Sequence, residues 1–514
     1  MTATLPPHVR AFLKSDFYSH PTSDINMIQT HISWVFLSGD YAYKLKKPVN
    51  FGFLDFSTLA ARKYYCEQEL RLNRRLSPEI YLTVLPVYQH GSIFSLKAPG
   101  MPVDYCLQMI RFKQADLLEQ RMQAGTFDAY WLDILAHDIA VFHYAQDSIQ
   151  MDRIDYCQLL TEHIRTNLDI AATHIPTALA YPVWLQLGSY AGAALASLTP
   201  LIADRQAQGY VRRCHGDLHL RNITLIEGCP RVFDCIEFND EFATIDTMSD
   251  IAFLIMDCDA HEHSDLGMRF LSRYLEHTND YAGLALLQLY LFYRAGVRGK
   301  VACLLADELD DGKQRQQTLL EARHYFELAA GYCLPASPRL FAIGGLSGSG
   351  KSHLALLACG VEHAVIIRSD ATRKRIAPDF PELERYGMDM NRHVYHAMLE
   401  AGRVALTAGF SVILDAAFLR PEERTQVSKL ADDCHAPLSF FWLNIDRDTL
   451  RQRINCRQQT GTDISDADVS VLELQLATYQ HPTEAWIRHL SSSDAWPDPS
   501  SPDSVKSPEG KVFD

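Results

Sequence analysis

The stretch LFAIGGLSGSGKSHLALLAC, residues 340–359, decides how the second half of this chain folds. Its centre, Gly345-Leu-Ser-Gly348-Ser-Gly350-Lys351-Ser352, fits GxxxxGK[ST] in full. An apolar run precedes it and a helix-like run follows, which is the strand-loop-helix setting that a phosphate-binding loop needs. The glycines let backbone N–H groups turn inward around phosphates, and the following helix N-terminus adds a favourable partial charge. In such a loop Lys351 reaches the β- and γ-phosphates of ATP, and the Ser352 hydroxyl binds Mg²⁺.

Downstream, strand-like and helix-like runs alternate: AVIIRSD, SVILDA and LSFFWLNI are separated by helical patterns. That order predicts βαβ units around a parallel sheet, an α/β P-loop fold. In an open α/β sheet, ligands bind at the carboxyl ends of the strands. Asp370, just after Ile366-Ile367-Arg368, is therefore placed to orient or deprotonate an acceptor hydroxyl, and it also fits a helix N-cap. Asp415 ends the run Val412-Ile413-Leu414 and suits a metal-facing role or a strand-end cap. Arg447, Arg451, Arg453 and Arg457 recur along one predicted helix, with Arg453 and Arg457 one turn apart on one face. They fit a lid that brings cations to a transferring phosphoryl group, or a solvated basic face. No Asn/Thr-Lys-x-Asp guanine signature is present, so ATP is the expected nucleotide.

The first half carries a different signature. His215-Gly-Asp217-Leu-His-Leu-Arg-Asn222 fits the catalytic-loop pattern HxDxxxxN. In that pattern Asp217 accepts the acceptor's hydroxyl proton and Asn222 binds Mg²⁺. The next strand, Arg231-Val-Phe-Asp234, delivers a second metal-facing carboxylate. Tyr41-Ala42-Tyr43-Lys44 has the spacing of V-A-I-K, so Lys44 is a phosphate anchor, with Lys46 on the same strand face as the alternative. Its helical carboxylate partner is Glu69, or else Glu67. Before Lys44 there is only Ser38-Gly39-Asp40 and no GxGxxG. Strands at 32–47 and 80–112, a helix at 58–76 and helices through most of 129–207 and 251–333 predict a mixed small lobe followed by a helical lobe.

The Walker A loop, RSDATRKR, VILDA and LRQRINCRQQTGTDISDAD together resemble the small P-loop kinases of the gluconate-kinase and zeta-toxin type. The likeness covers about 337–490, and it implies a phosphate acceptor near Asp370 and Arg373 and lid arginines at Arg453 and Arg457. CHGDLHLRNI and VFDCIEF resemble the aminoglycoside phosphotransferases over roughly 30–333. That resemblance implies an α+β two-lobed, protein-kinase-like fold, with Asp250 bracing the catalytic loop. The pairing resembles bacterial proteins described as bifunctional aminoglycoside phosphotransferase/ATP-binding proteins.

The chain has 514 residues, enough for two or three domains of roughly 100–200 residues each. Pro335-Ala-Ser-Pro338 is the expected boundary, giving a kinase-like domain at 1–335, a P-loop domain at 336–490 and a disordered tail at 491–514. The net charge of -15 argues against broad nucleic-acid binding, which needs a basic footprint. The 12 cysteines contain no CxxC pair, consistent with reduced thiols in the cytoplasm. The apolar run Leu284–Tyr293 is too short for a membrane span and reads as a buried helix. The expected protein is an ATP- and Mg²⁺-dependent phosphotransferase acting on small-molecule hydroxyls. The alternative is a regulatory protein in which only the P-loop domain turns over.

Overall fold

The structure is a computed structural model that describes residues 5–22, 24–52, 54–149, 154–460, 468–491 and 496, without the side chains of 457–460. The chain divides into two compact units, Met1–His163 with Leu195–Asp257, and Ile164–Ala194 with Cys258–Asp514.

The first unit holds a six-stranded antiparallel sheet of β1 (Ile25–Gln29), β2 (Ser33–Ser38), β3 (Tyr41–Lys46), β4 (Tyr81–His90), β5 (Ile93–Ser95) and β6 (Met101–Ile110). The spatial order is β1-β2-β3-β6-β4-β5. Side chains alternate across a strand, and β3 uses this fully. Tyr43 and Leu45 enter an apolar cluster with Val9, Phe12 and Phe36, while Lys44 and Lys46 take the other face. The helix Leu59–Asn73 follows, started by Thr58, whose hydroxyl accepts from Ala61 N–H at 3.1 Å. Further on, β7 (Val211–Arg213) pairs antiparallel with a later strand at Thr244–Asp246, and β8 (Ile223–Ile226) pairs with β9 (Cys229–Val232). The catalytic-loop sequence runs between β7 and β8. Counting Thr244–Asp246 as β10, its last residue forms a two-pronged buried ion pair with Arg205, at 2.7 and 2.8 Å.

The second unit is built on a five-stranded parallel sheet of β11 (Leu340–Gly344), β12 (Ala364–Arg368), β13 (Ser411–Asp415), β14 (Leu438–Leu443) and β15 (Ile487–Leu490). The order is β12-β13-β11-β14-β15, and every pair is parallel. All residues of β11 and β12 are buried, as expected when helices cover both faces of a sheet. The layout is α+β in the N-terminal part and α/β with a parallel sheet behind the phosphate loop in the C-terminal part, as expected. The run Leu284–Tyr293 lies in a buried helix, Leu284–Glu308. Among the described residues, no helix is long and apolar enough to cross a membrane.

Two features depart from the sequence reading. The helix Ser264–Thr278 packs on β12, so sequence well before Pro335–Pro338 groups with the parallel sheet in one compact unit. Within the segment expected to be disordered, Trp496 is placed: its ring meets Phe341 and Phe441 edge-on at 5.7 and 5.0 Å. Its indole N–H donates to Glu362 Oε1 at 2.8 Å. The Ser/Pro/Asp bias of the tail concealed this single aromatic anchor, and the other residues from 492 onward lie outside the described residues. Replacing a half-buried aromatic that also loses a hydrogen bond costs about 1–3 kcal/mol, so Trp496→Ala should lower stability by that amount in denaturant unfolding.

Candidate functional site

The phosphate loop joins β11 to the helix Lys351–Glu362. Gly345, Gly348 and Gly350 have φ of 145°, 82° and 97°, conformations that side chains rarely adopt. A Cβ at Gly345 would lie 2.8 Å from Ser349 Oγ, and one at Gly348 would lie 2.9 Å from the Leu450 carbonyl. Both space and torsion therefore demand glycine at those two positions. Lys351 Nζ donates to the Leu346 carbonyl at 3.0 Å, folded back over its own loop. Ser352 Oγ donates to Asp415 Oδ2 at 2.6 Å. Burial pushes the Asp415 carboxyl above its usual value, while Lys351 and Ser352 pull it back.

A cavity of about 670 Å³ opens here, lined among others by Gly348, Gly350, Lys351, Ser352, Asp370, Asp415 and Arg453. Asp370 is in the first turn of the helix Ser369–Ile376, whose N-cap is Arg368, so Asp370 faces the cavity and is not the cap. Arg373 Nη1 donates to Asn391 Oδ1 at 2.8 Å and to the Arg385 carbonyl at 3.0 Å, beside the Tyr386 ring. Of the four expected lid arginines, Arg453 reaches the loop, 3.3 Å from the Ser349 carbonyl. Arg447 and Arg451 instead pair with Glu473 on the helix Val469–Thr478, a pairing that the spacing along their own helix could not show. The Arg457 side chain lies outside the described residues. Gln475, absent from the sequence reading, accepts from Ser347 N–H at 2.8 Å. One lysine, one hydroxyl and one buried carboxylate gathered at a glycine loop fit a magnesium nucleotide.

The first unit assembles a second site. Lys44 Nζ lies 2.7 Å from Glu69 Oε1 and 2.5 Å from Asp234 Oδ1. Lys46 Nζ lies 2.7 Å from Glu69 Oε2 and also pairs with Glu237. Both lysines thus converge on Glu69, whereas Glu67 is exposed and sits 3.7 Å from Lys63. Burial alone would lower the Lys44 ammonium, but Asp234 and Glu69 outweigh it and hold it well above its ordinary value. Burial likewise opposes ionisation of Glu69, yet Lys44 and Lys46 bring its carboxyl down to about 2. Glu237 goes the other way, pushed up by burial despite Lys46. Asp234 has φ of 61°, in the left-handed region, and its N–H donates to the Tyr81 hydroxyl at 2.9 Å.

The loop His215–Asn222 is braced from beneath. Asp250 Oδ1 accepts from Gly216 N–H at 2.8 Å, and Oδ2 accepts from His215 N–H at 3.1 Å and meets His143 Nε2 at 3.0 Å. Gly216 has φ of 86°, and a Cβ there would lie 2.9 Å from the Phe242 carbonyl. Burial lowers the His215 pKa. Its Nε2–H donates to the Phe233 carbonyl at 3.0 Å, and Nδ1 accepts from Asp217 N–H at 3.3 Å. Asn222 Nδ2 donates to Asp217 Oδ2 at 2.9 Å and to the Asp217 carbonyl at 3.0 Å. Ligand atoms of His143, Cys214 and Asp250 cluster within 4.8 Å. The Asp250 oxygens are occupied by loop N–H groups, so the cluster is a hydrogen-bonded brace. Neither His143 nor Glu237 carried a motif signal of its own.

Residues 340–482 match a family described as AAA domain (AAA_33). Rv2004c of Mycobacterium tuberculosis (strain ATCC 25618 / H37Rv) and Mb2027c of Mycobacterium bovis are described as uncharacterized proteins. Each is 30% identical over 458 residues, covering 87% of this chain and 89% of the relative. The chain belongs to the family of Rv2004c. Among solved structures, a gluconokinase from Sinorhizobium meliloti 1021 is 21% identical, over 31% of this chain and 85% of that one, with a TM-score of 0.25. A choline/ethanolamine kinase family protein from Mesorhizobium loti is 11% identical, over 64% and 99%, with a TM-score of 0.39.

The contrast between the two candidate glutamates is directly measurable. Breaking a buried ion pair costs about 3–5 kcal/mol, whereas an exposed pair contributes about 0–1 kcal/mol. Glu69→Gln should therefore destabilise the full chain severely in chemical denaturation, and Glu67→Gln should leave it nearly unchanged.

Proposed function

We propose that the chain is an ATP-dependent phosphotransferase with two nucleotide-binding modules, 1–335 and 336–490, each acting on the hydroxyl group of a small molecule. The observation that carries this is the phosphate loop with Lys351 and the Ser352–Asp415 pair at the mouth of one cavity that also contains Asp370 and Arg453. Magnesium-bound ATP supplies the transferable phosphoryl group. Lys351 and backbone N–H groups of the glycine loop hold its phosphates, and Ser352 and Asp415 face the metal. Asp370 takes or orients the acceptor proton, and Arg453 offsets developing negative charge, as the Arg457 position on the same helix face suggests for a second cation.

In the other module Asp217 is the base, Asn222 and Asp234 hold the metal, and Lys44, positioned by Glu69, anchors phosphates. A second reading draws support from one observation: Lys44 is engaged by both Glu69 and Asp234, where a metal-nucleotide must enter. On that reading the first module binds a ligand and regulates the P-loop module. A cytoplasmic location suits the reduced cysteines, and the acidic net charge suits a small-molecule acceptor over a nucleic acid.

Two substitutions separate these readings. In the full chain, Lys351→Ala should abolish ATP turnover at the P-loop site, because positioning and charge stabilisation supply most of phosphoryl-transfer catalysis. In that background, Asp217→Asn should reduce the remaining transfer to an acceptor found by panel screening by about 10²–10⁴-fold, the usual contribution of a general base. ATP turnover unaffected by Lys351→Ala would refute the P-loop assignment. No transfer left in Lys351→Ala alone would favour the regulatory reading, and full residual transfer in the double variant would refute Asp217 as the base.

A further inference from the structure

The helix Ser264–Thr278 precedes the Pro335–Pro338 boundary by a long stretch of chain, yet it is built into the P-loop sheet. β12 is an edge strand, and an edge presents unpaired N–H groups. Ser272 Oγ accepts the β12 N–H of Ile366 at 3.0 Å. Gly360, on the helix after the phosphate loop, admits Asp265 so closely that a Cβ there would lie 2.5 Å from the Asp265 Cβ. At the end of β12, Arg368 gives Nε and Nη2 to the two carboxylate oxygens of Glu276. Arg273 Nη1 holds the same two oxygens at 3.2 Å each. Glu276 and Arg368 are each only 8% exposed.

What makes this pair more than a packing contact is its position. Arg368 lies directly across the parallel register from Asp415 and two residues before Asp370, and all three line the nucleotide cavity. A buried guanidinium at that point has two competing sets of carboxylates, Glu276 on the helix side and Asp415 with Asp370 on the cavity side. Its fork geometry matches one carboxylate at a time. While Glu276 holds it, Asp415 keeps its bond to Ser352 and its open face toward the cavity.

We propose that Glu276 is a positioning residue of the P-loop site: by retaining Arg368 on the helix side, it keeps Asp415 and Asp370 available to a divalent cation and to the acceptor. The proposal rests on the reading of this cavity as a magnesium-nucleotide site. It also makes the P-loop module dependent on a helix encoded before the linker.

The test is magnesium dependence, which loss of packing alone does not move. ATP binding to the full chain is titrated against Mg²⁺ in an Asp234→Asn background, so that the P-loop site reports. Glu276→Gln should raise the Mg²⁺ midpoint by about tenfold, because the released Arg368 competes for Asp415. Glu276→Gln combined with Arg368→Gln removes both charges and should restore the parental midpoint. If Glu276→Gln does not fold, Glu276→Asp, whose shorter carboxylate holds Arg368 less well, should raise the midpoint in the same direction by a smaller factor. A parental midpoint in the single variants, even with a lowered unfolding temperature, overturns the proposal and leaves a structural ion pair. An equally raised midpoint in the double variant overturns it too. If the parent shows no Mg²⁺-dependent ATP binding that Lys351→Ala removes, the reading of the cavity fails first and the proposal falls with it.

Discussion

The hydrogen bond from Ser352 to Asp415 ties the first turn after the phosphate loop to the end of the neighbouring strand. The C-terminal half is arranged around it. Parallel register brings Ile343 of β11 beside Asp415 of β13, so the loop leaves the sheet next to the carboxylate that its serine must meet. Leu450 and Ile454 then crowd the loop from the far side, which fixes glycine at position 348. Loop conformation, strand order and the buried carboxylate are thus one constraint. A change to any of them moves the others.

The first unit solves a similar problem by different means. Instead of a glycine cradle it has two lysines on one strand face, converging on Glu69 and reaching on to Asp234 and Glu237. Two lysines meet three carboxylates here, of which Glu69 and Glu237 are buried and Asp234 is partly exposed, and removing a buried partner leaves a buried charge uncompensated. Asp234 stands in a left-handed backbone conformation, and the loop that carries Asp217 is held by Asp250 through its N–H groups. Rigid support lies behind the acidic residues, while the lysine in front of them already has partners. On the proposed function, nucleotide entry exchanges one set of charge pairs for another.

Much of this was legible in the sequence because motif chemistry is local. The phosphate loop, HGDLHLRN and the strand-end aspartates are short runs whose neighbours in space are their neighbours in sequence. Lys44 or its alternative Lys46, Asp217, Asn222 and Asp234 were singled out from pattern, as were Lys351, Ser352 and Asp415. What the sequence did not reveal depends on partners far along the chain. Lys46 with Glu237, Arg451 with Glu473 and Arg368 with Glu276 are ion pairs that no periodicity announces. The short strand β15 and the anchoring Trp496 likewise gain their meaning only from the strands they meet. The Pro-bounded linker at 335–338 marks where the strand-helix alternation starts, but packing follows the edge of β12 and gathers earlier helices to it.

The central claim is that one chain carries two magnesium-nucleotide sites of unrelated construction. Calorimetric titration of the full chain with ATP in the presence of Mg²⁺ tests it most directly. The account predicts a stoichiometry of two, falling to one when Lys351 is replaced by alanine and to one when Asp234 is replaced by asparagine. A single site that disappears entirely with either substitution alone would contradict it.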